Sequence, residues 1–128
     1  RMLSSMSPTI VLDEHGAVAM VVGGQGGPRI ITEVWQTISN VIDFGMTVAA
    51  AIAAPRIHHQ HLPDKVFVEH DALTPDVAAK LRAAGYTVDE SSGFFGAANA
   101  IVRTPHGWEG AADPRGGGAA VGDAPVAN

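Results

Sequence analysis

The sequence predicts an α+β domain of layered sheets and helices, and three observations carry that reading. Two apolar, β-rich runs, Thr9–Leu12 and Ala17–Val22, flank Asp13-Glu14-His15-Gly16, a set of turn residues suited to a short hairpin. Apolar residues then recur at spacings of three and four from Ile30 to Ile42, the period of a helix. Nearer the end, Asn99–Arg103 and Trp108–Ala112 flank Thr104-Pro105-His106-Gly107 and read as a second hairpin. With the intervening segments the predicted order is β–β–α–α–β–α–β–β–β.

Each element has a local cause. The first two strands are apolar nearly throughout, which predicts a sheet covered on both faces. Pro28 suits the first position of a helix, where its fixed φ helps and its missing N–H costs nothing. Ile30, Ile31, Val34, Trp35, Ile38, Val41 and Ile42 form the expected buried stripe, and Gly45 is the expected stop. Thr47 can cap a short alanine-rich helix through Ala54 that Pro55 ends. Lys65–His70 reads as a strand. Thr74-Pro75-Asp76 opens a third helix, with Val77, Ala78, Leu81 and Ala84 as its stripe and Gly85 as its end. Tyr86-Thr87-Val88 reads as a short strand, and residues 124–128 as a mobile tail behind a domain spanning 1–123.

Composition narrows the function classes. A chain of 128 residues with 46% hydrophobic and 16% charged residues has the makings of one packed core and too few charges for disorder. Its formal charge of −5 argues against a nucleic-acid partner, which calls for a basic stripe. With no cysteine there is no disulfide framework. No apolar run reaches the roughly 18–20 residues of a membrane span.

The chemistry-bearing residues cluster around the first hairpin. Antiparallel pairing should return Ser4 and Ser5, just before the first strand, beside Gly23-Gly24-Gln25-Gly26-Gly27, just after the second. A glycine-rich loop opening a helix offers backbone N–H groups and the positive end of the helix dipole. Two nucleotide readings fail. A Walker loop ends in Gly-Lys-Ser/Thr, whereas Gly27 is followed by Pro28-Arg29. A dinucleotide fingerprint needs a third glycine where Arg29 stands. An oxyanion hole, a carboxylate cradle and a plain tight turn remain open. His58, His59 and His61 allow either a metal site or a polar corner, and Asp113-Pro114-Arg115 either an acid–base element or a turn with a local ion pair.

Several segments together resemble the small-subunit end of the γ-glutamyltranspeptidases (γ-glutamyltransferases, glutathione hydrolases). They are Leu-Ser-Ser-Met-Ser-Pro-Thr-Ile at 3–10, Gly-Gly-Pro-Arg-Ile-Ile at 26–31, Ala-Pro-Arg-Ile-His-His-Gln at 54–60, Leu-Pro-Asp at 62–64 and Gly-Ala-Ala-Asp-Pro-Arg at 110–115. The resemblance implies part of an N-terminal nucleophile hydrolase αββα sandwich. It also implies transfer or hydrolysis of γ-glutamyl groups, as in glutathione, through a threonine acyl-enzyme. By the same resemblance Ser4 and Ser5 bind the donor α-carboxylate, and Gly26 and Gly27 supply the oxyanion hole. Pro28, lacking an N–H, limits that hole to the two glycines. The histidine segment ligates no metal, and no cofactor is implied.

The family's threonine lies upstream of the serine pair. The expected partners are therefore that upstream small-subunit segment and a large subunit, and the chain alone is expected to be inactive. A periplasmic or extracellular setting is likewise only what the resemblance suggests. The alternatives are a glutaryl or cephalosporin acylase of the same fold, whose substrate keeps a carboxylate in the matching place, and a non-catalytic carboxylate-binding module.

Overall fold

The computed structural model describes residues 5–90, 93 and 95–122; Ser4 and the expected tail at 124–128 lie outside them. Two sheets and three helices follow the predicted order with one addition. Strand β1 (Thr9–Leu12) pairs antiparallel with β2 (Val18–Gln25), β2 with β6 (Ala97–Thr104), and β6 with β7 (Gly107–Ala112). A smaller sheet joins β3 (Ile57–His58), β4 (Val66–Val68) and β5 (Val88–Asp89), with β4 and β5 parallel. The helices are α1 (Ile30–Ile42), α2 (Val48–Ala53) and α3 (Pro75–Ala83). The α+β class therefore holds. Strand β3 is the added element, two residues long and too short to show an alternation.

The core lies between the large sheet and the two helices α1 and α2. Met20, Val22 and Ala100 from the sheet meet Ile30 and Val34 of α1 and Val48 and Ile52 of α2. Burying each large aliphatic side chain here is worth about 1.5–3 kcal/mol before entropy is counted. The register Thr9 to Val22 and Val22 to Ala100 puts alternate residues on the covered face. The other face carries Ile10, Leu12, Val21, Ile101 and Trp108, all exposed among the described residues. Among the described residues, helices cover one face of the sheet and leave this apolar face open.

Helix α1 departs from its predicted stripe. Ile30 and Val34 face the core, but Ile31, Trp35 and Ile42 are 56%, 63% and 56% exposed. Glu33 and Thr37 are buried instead, each 1% exposed. Positions 30, 33, 34, 37 and 41 share one helical face, so the inward arc is narrower than the run of apolar residues and includes a carboxylate.

Thr47 does cap α2: its hydroxyl accepts the Ala50 N–H at 3.3 Å. We expect Thr47→Ala to cost about 1 kcal/mol of stability, read as a lowered melting temperature without loss of the folded baseline. Thr74 precedes α3 in an extended conformation but makes no cap, because its hydroxyl is engaged by Asp76. Among the described residues no helix is long and apolar enough to cross a membrane.

Candidate active site

The glycine segment is shorter as a loop than its sequence suggests. Gly23, Gly24 and Gln25 continue β2, because β6 supplies partners for them in Asn99, Ala98 and Ala97. The turn itself is Gly26-Gly27, with φ of 157° and 61°, values that side-chain-bearing residues rarely adopt. A single 3₁₀ turn, Gly27–Arg29, then leads into α1, and the Arg29 N–H donates to the Gly26 carbonyl at 3.3 Å. The first N–H groups of such a turn have no partner within the helix. The Arg29 guanidinium fixes the turn from outside, lying 4.5 Å from the Phe95 ring centre and 5.3 Å from that of Phe67.

The serine segment reaches the same end of the sheet. Thr9 pairs with Val22, and a Cβ on Gly23 would lie 4.0 Å from the Pro8 Cα, so residues 5–8 lead into β1 alongside the last residues of β2. Ser5 is half-buried, and its carbonyl accepts the Ser7 hydroxyl at 3.1 Å. The pairing of Ser4 with the glycines lies outside the described residues.

Beneath the turn lies a buried charge network that the sequence reading did not assemble. Arg56, 2% exposed, donates through Nη2 to Asp113 Oδ2 at 2.5 Å and to the Ile52 carbonyl at 2.9 Å. Asp113 also accepts the Ala98 N–H at 2.9 Å and the Arg115 N–H at 2.9 Å. Burial raises the Asp113 carboxyl, but these N–H groups and Arg56 outweigh it and hold the group below the usual carboxylate range. Arg115 grips Glu69 through two bonds of 2.7 and 2.6 Å and Asp113 at 3.0 Å. It also donates to the Ile52 and Ala54 carbonyls at 3.1 Å each, closing the C-terminal end of α2. The turn with a local ion pair at 113–115 is therefore present and extends into a larger network.

Glu33 projects from α1 into the gap between this network and the glycine turn. Neither carboxylate oxygen has a hydrogen-bond partner among the described residues. The nearest cation is Arg56, with Nη1 3.9 Å from Oε2. A Cβ on Gly24 or Gly96 would collide with the Glu33 carboxylate, and one on Gly26 would lie 3.3 Å from it. Desolvation pushes the Glu33 carboxyl up to about 7, against the pull of Arg56. Its position on the Ile30–Val34–Thr37 face was the available sequence signal.

The histidines form a polar corner. His58 is buried, with Nδ1 2.8 Å from the Thr32 hydroxyl and Nε2 2.9 Å from Gln60 Oε1. The Gln60 amide nitrogen donates to the Leu62 carbonyl, which leaves its oxygen to face the ring. His59 meets Asp64 at 3.1 Å. Among the described residues no group of three or more histidine or carboxylate side chains is placed to hold a metal ion.

The sequence and fold are shared with known proteins. The γ-glutamyltranspeptidase family matches residues 1–123. The glutathione hydrolase proenzyme of Pseudomonas aeruginosa is 45% identical over 121 residues, 92% of this chain and 21% of its own length. That of Escherichia coli is 47% identical over 116 residues, covering 90% of this chain and 20% of its own. A solved mutant γ-glutamyltranspeptidase of Pseudomonas nitroreducens superposes with a TM-score of 0.84 at 43% identity, over 98% of this chain and 65% of that one. The chain thus spans about a fifth of the length of these curated relatives, and it belongs to the γ-glutamyltranspeptidase family.

Proposed function

We propose that this chain supplies the oxyanion and donor-carboxylate parts of a site that transfers or hydrolyses γ-glutamyl groups, with glutathione as the type of donor. The observation that supports it is that Pro8 lies beside Gly23, so the Ser5–Pro8 segment enters the large sheet at the end that leads into the Gly26-Gly27 turn, in a chain of this family. A threonine outside these residues attacks the γ-amide carbon, and the carbonyl electron pair moves onto oxygen. The N–H groups of Gly26 and Gly27 hold that oxyanion. Its collapse breaks the C–N bond and releases the amine, protonated by the proton that the threonine gave up. Water or an acceptor amine then resolves the ester by the same route. Ser4 and Ser5 donate to the donor's α-carboxylate, each bond worth about 1.5–3 kcal/mol.

The open sheet face with Ile10, Leu12, Val21, Ile101 and Trp108 suits a covering layer from the upstream small-subunit segment, and a large subunit completes the site. In the complete enzyme Ser5→Ala, and separately Ser4→Ala, should lower kcat/KM for a γ-glutamyl anilide by about 10-fold or more. Unchanged kcat/KM in both variants, with folding intact, refutes the carboxylate assignment.

A further inference from the structure

Glu33 is placed to act on the glycine turn. Its carboxylate is 1% exposed and lies against Gly24, Gly26 and Gly96, so it occupies the space that side chains at those positions would fill. Burying a carboxylate without hydrogen bonds is costly, and nothing in the core packing of α1 requires one at this position. We propose that Glu33 is a positioning residue of the oxyanion turn, supporting the Gly26-Gly27 geometry while neutral and weakening the oxyanion site when ionised. The inference rests on the oxyanion reading of Gly26 and Gly27 given above.

The charges around it fix the sign. From the α2–β3 connection Arg56 faces it at 3.9 Å, and His58 is hydrogen-bonded to Thr32, the residue just before it on the same helix. From beyond β7 come Asp113 and Arg115, and from the end of β4 Glu69. Among the described residues the end of β2 and the start of β6 present Gln25, glycine and alanine. Arg56 is committed to Asp113 at 2.5 Å and Arg115 to Glu69 at 2.6 Å, so two cations already serve two carboxylates. Glu33 is the third acid and has no cation of its own. This agrees with a carboxyl group pushed up to about 7 by desolvation. Below that pH the group is neutral; above it a negative charge stands against Gly26, next to the turn whose N–H groups must stabilise a developing oxyanion. The expected signature is a fall in kcat as pH rises through about 7, with little change in KM for the donor.

The test uses the complete enzyme, wild type and Glu33→Gln, in two arms. In the first, selective ¹⁵N-glycine labelling follows the Gly26 and Gly27 amide signals from pH 5 to 9, as a wild-type measurement that needs no variant to fold. Both signals should titrate with a midpoint near 7 and lose that step in Glu33→Gln. In the second, kcat and KM for a γ-glutamyl anilide are measured over the same range. The wild type should lose roughly 5-fold in kcat across the alkaline step, and Glu33→Gln should keep its kcat there. Glycine signals indifferent to Glu33 overturn the inference, as does an alkaline limb that survives in Glu33→Gln. Glycines that titrate with Glu33 in a protein without γ-glutamyl turnover support the coupling and overturn the proposed function instead.

Discussion

Replacing Gly27 by alanine should lower kcat for γ-glutamyl transfer by about 100-fold while leaving the fold close to wild-type stability. The two glycines of the turn are not equivalent, and the difference makes this variant informative. A Cβ on Gly26 would lie 2.7 Å from the Gly96 Cα, so Gly26→Ala must shift backbone and would lose activity and stability together. A Cβ on Gly27 meets nothing within 4 Å; its only burden is a φ of 61°, worth about 1 kcal/mol for a non-glycine residue. Crowding is thus separated from function. If the Gly27 N–H holds the oxyanion, a small displacement of that donor raises the barrier with little effect on donor binding through Ser4 and Ser5. If the turn is only structural, kcat should fall no more than the melting temperature explains. The measurement is kcat, KM and thermal stability of Gly27→Ala in the complete enzyme. A kcat within about 3-fold of wild type would overturn the oxyanion assignment.

What was legible in the sequence was the part that local chemistry determines. Strand β1, the Thr47 cap, the start of α3 after Thr74 and the second hairpin follow from turn residues, caps and periodicity. The sequence suggests a constellation of the serine pair and the double glycine because one hairpin joins them, and Ser4 lies outside the described residues. The misreadings are tertiary. Gly23 and Gly24 look like loop residues until Asn99 and Ala98 of β6 pair with them. Apolarity alone puts Trp35 in the α1 stripe and leaves Glu33 out, whereas burial follows the face turned to the sheet. The charge network was out of reach for a related reason. Asp113 and Arg115 read as a local pair, and only the fold brings Arg56 and Glu69 to them.

Removing Asp113 should have the largest effect on stability of any single change outside the turn. In Asp113→Ala the Arg56 guanidinium, 2% exposed, keeps its carbonyl partner at Ile52 but loses its nearest countercharge. Breaking a buried pair from one side costs about 3–5 kcal/mol, because the remaining charge stays desolvated. The loss also frees the Ala98 N–H and one arm of Arg115, so it should spread to the start of β6 and the C-terminal end of α2. Arg56 is then available to Glu33 at 3.9 Å, so the variant should also lower the Glu33 carboxyl from about 7. The pH dependence carries the sign of a depressed carboxyl. Asp113 is held below the ordinary value of 3.8, so its contribution is fully present above that value and is lost as pH falls through the lowered one. The difference between wild type and Asp113→Ala should therefore be greatest near neutral pH and shrink in strong acid. Thermal melts of both proteins from pH 2.5 to 7, with amide exchange at Ala98, measure it. A melting temperature unchanged at pH 7, or a gap that does not narrow in acid, would show that the Arg56–Asp113 pair does not hold these two layers together.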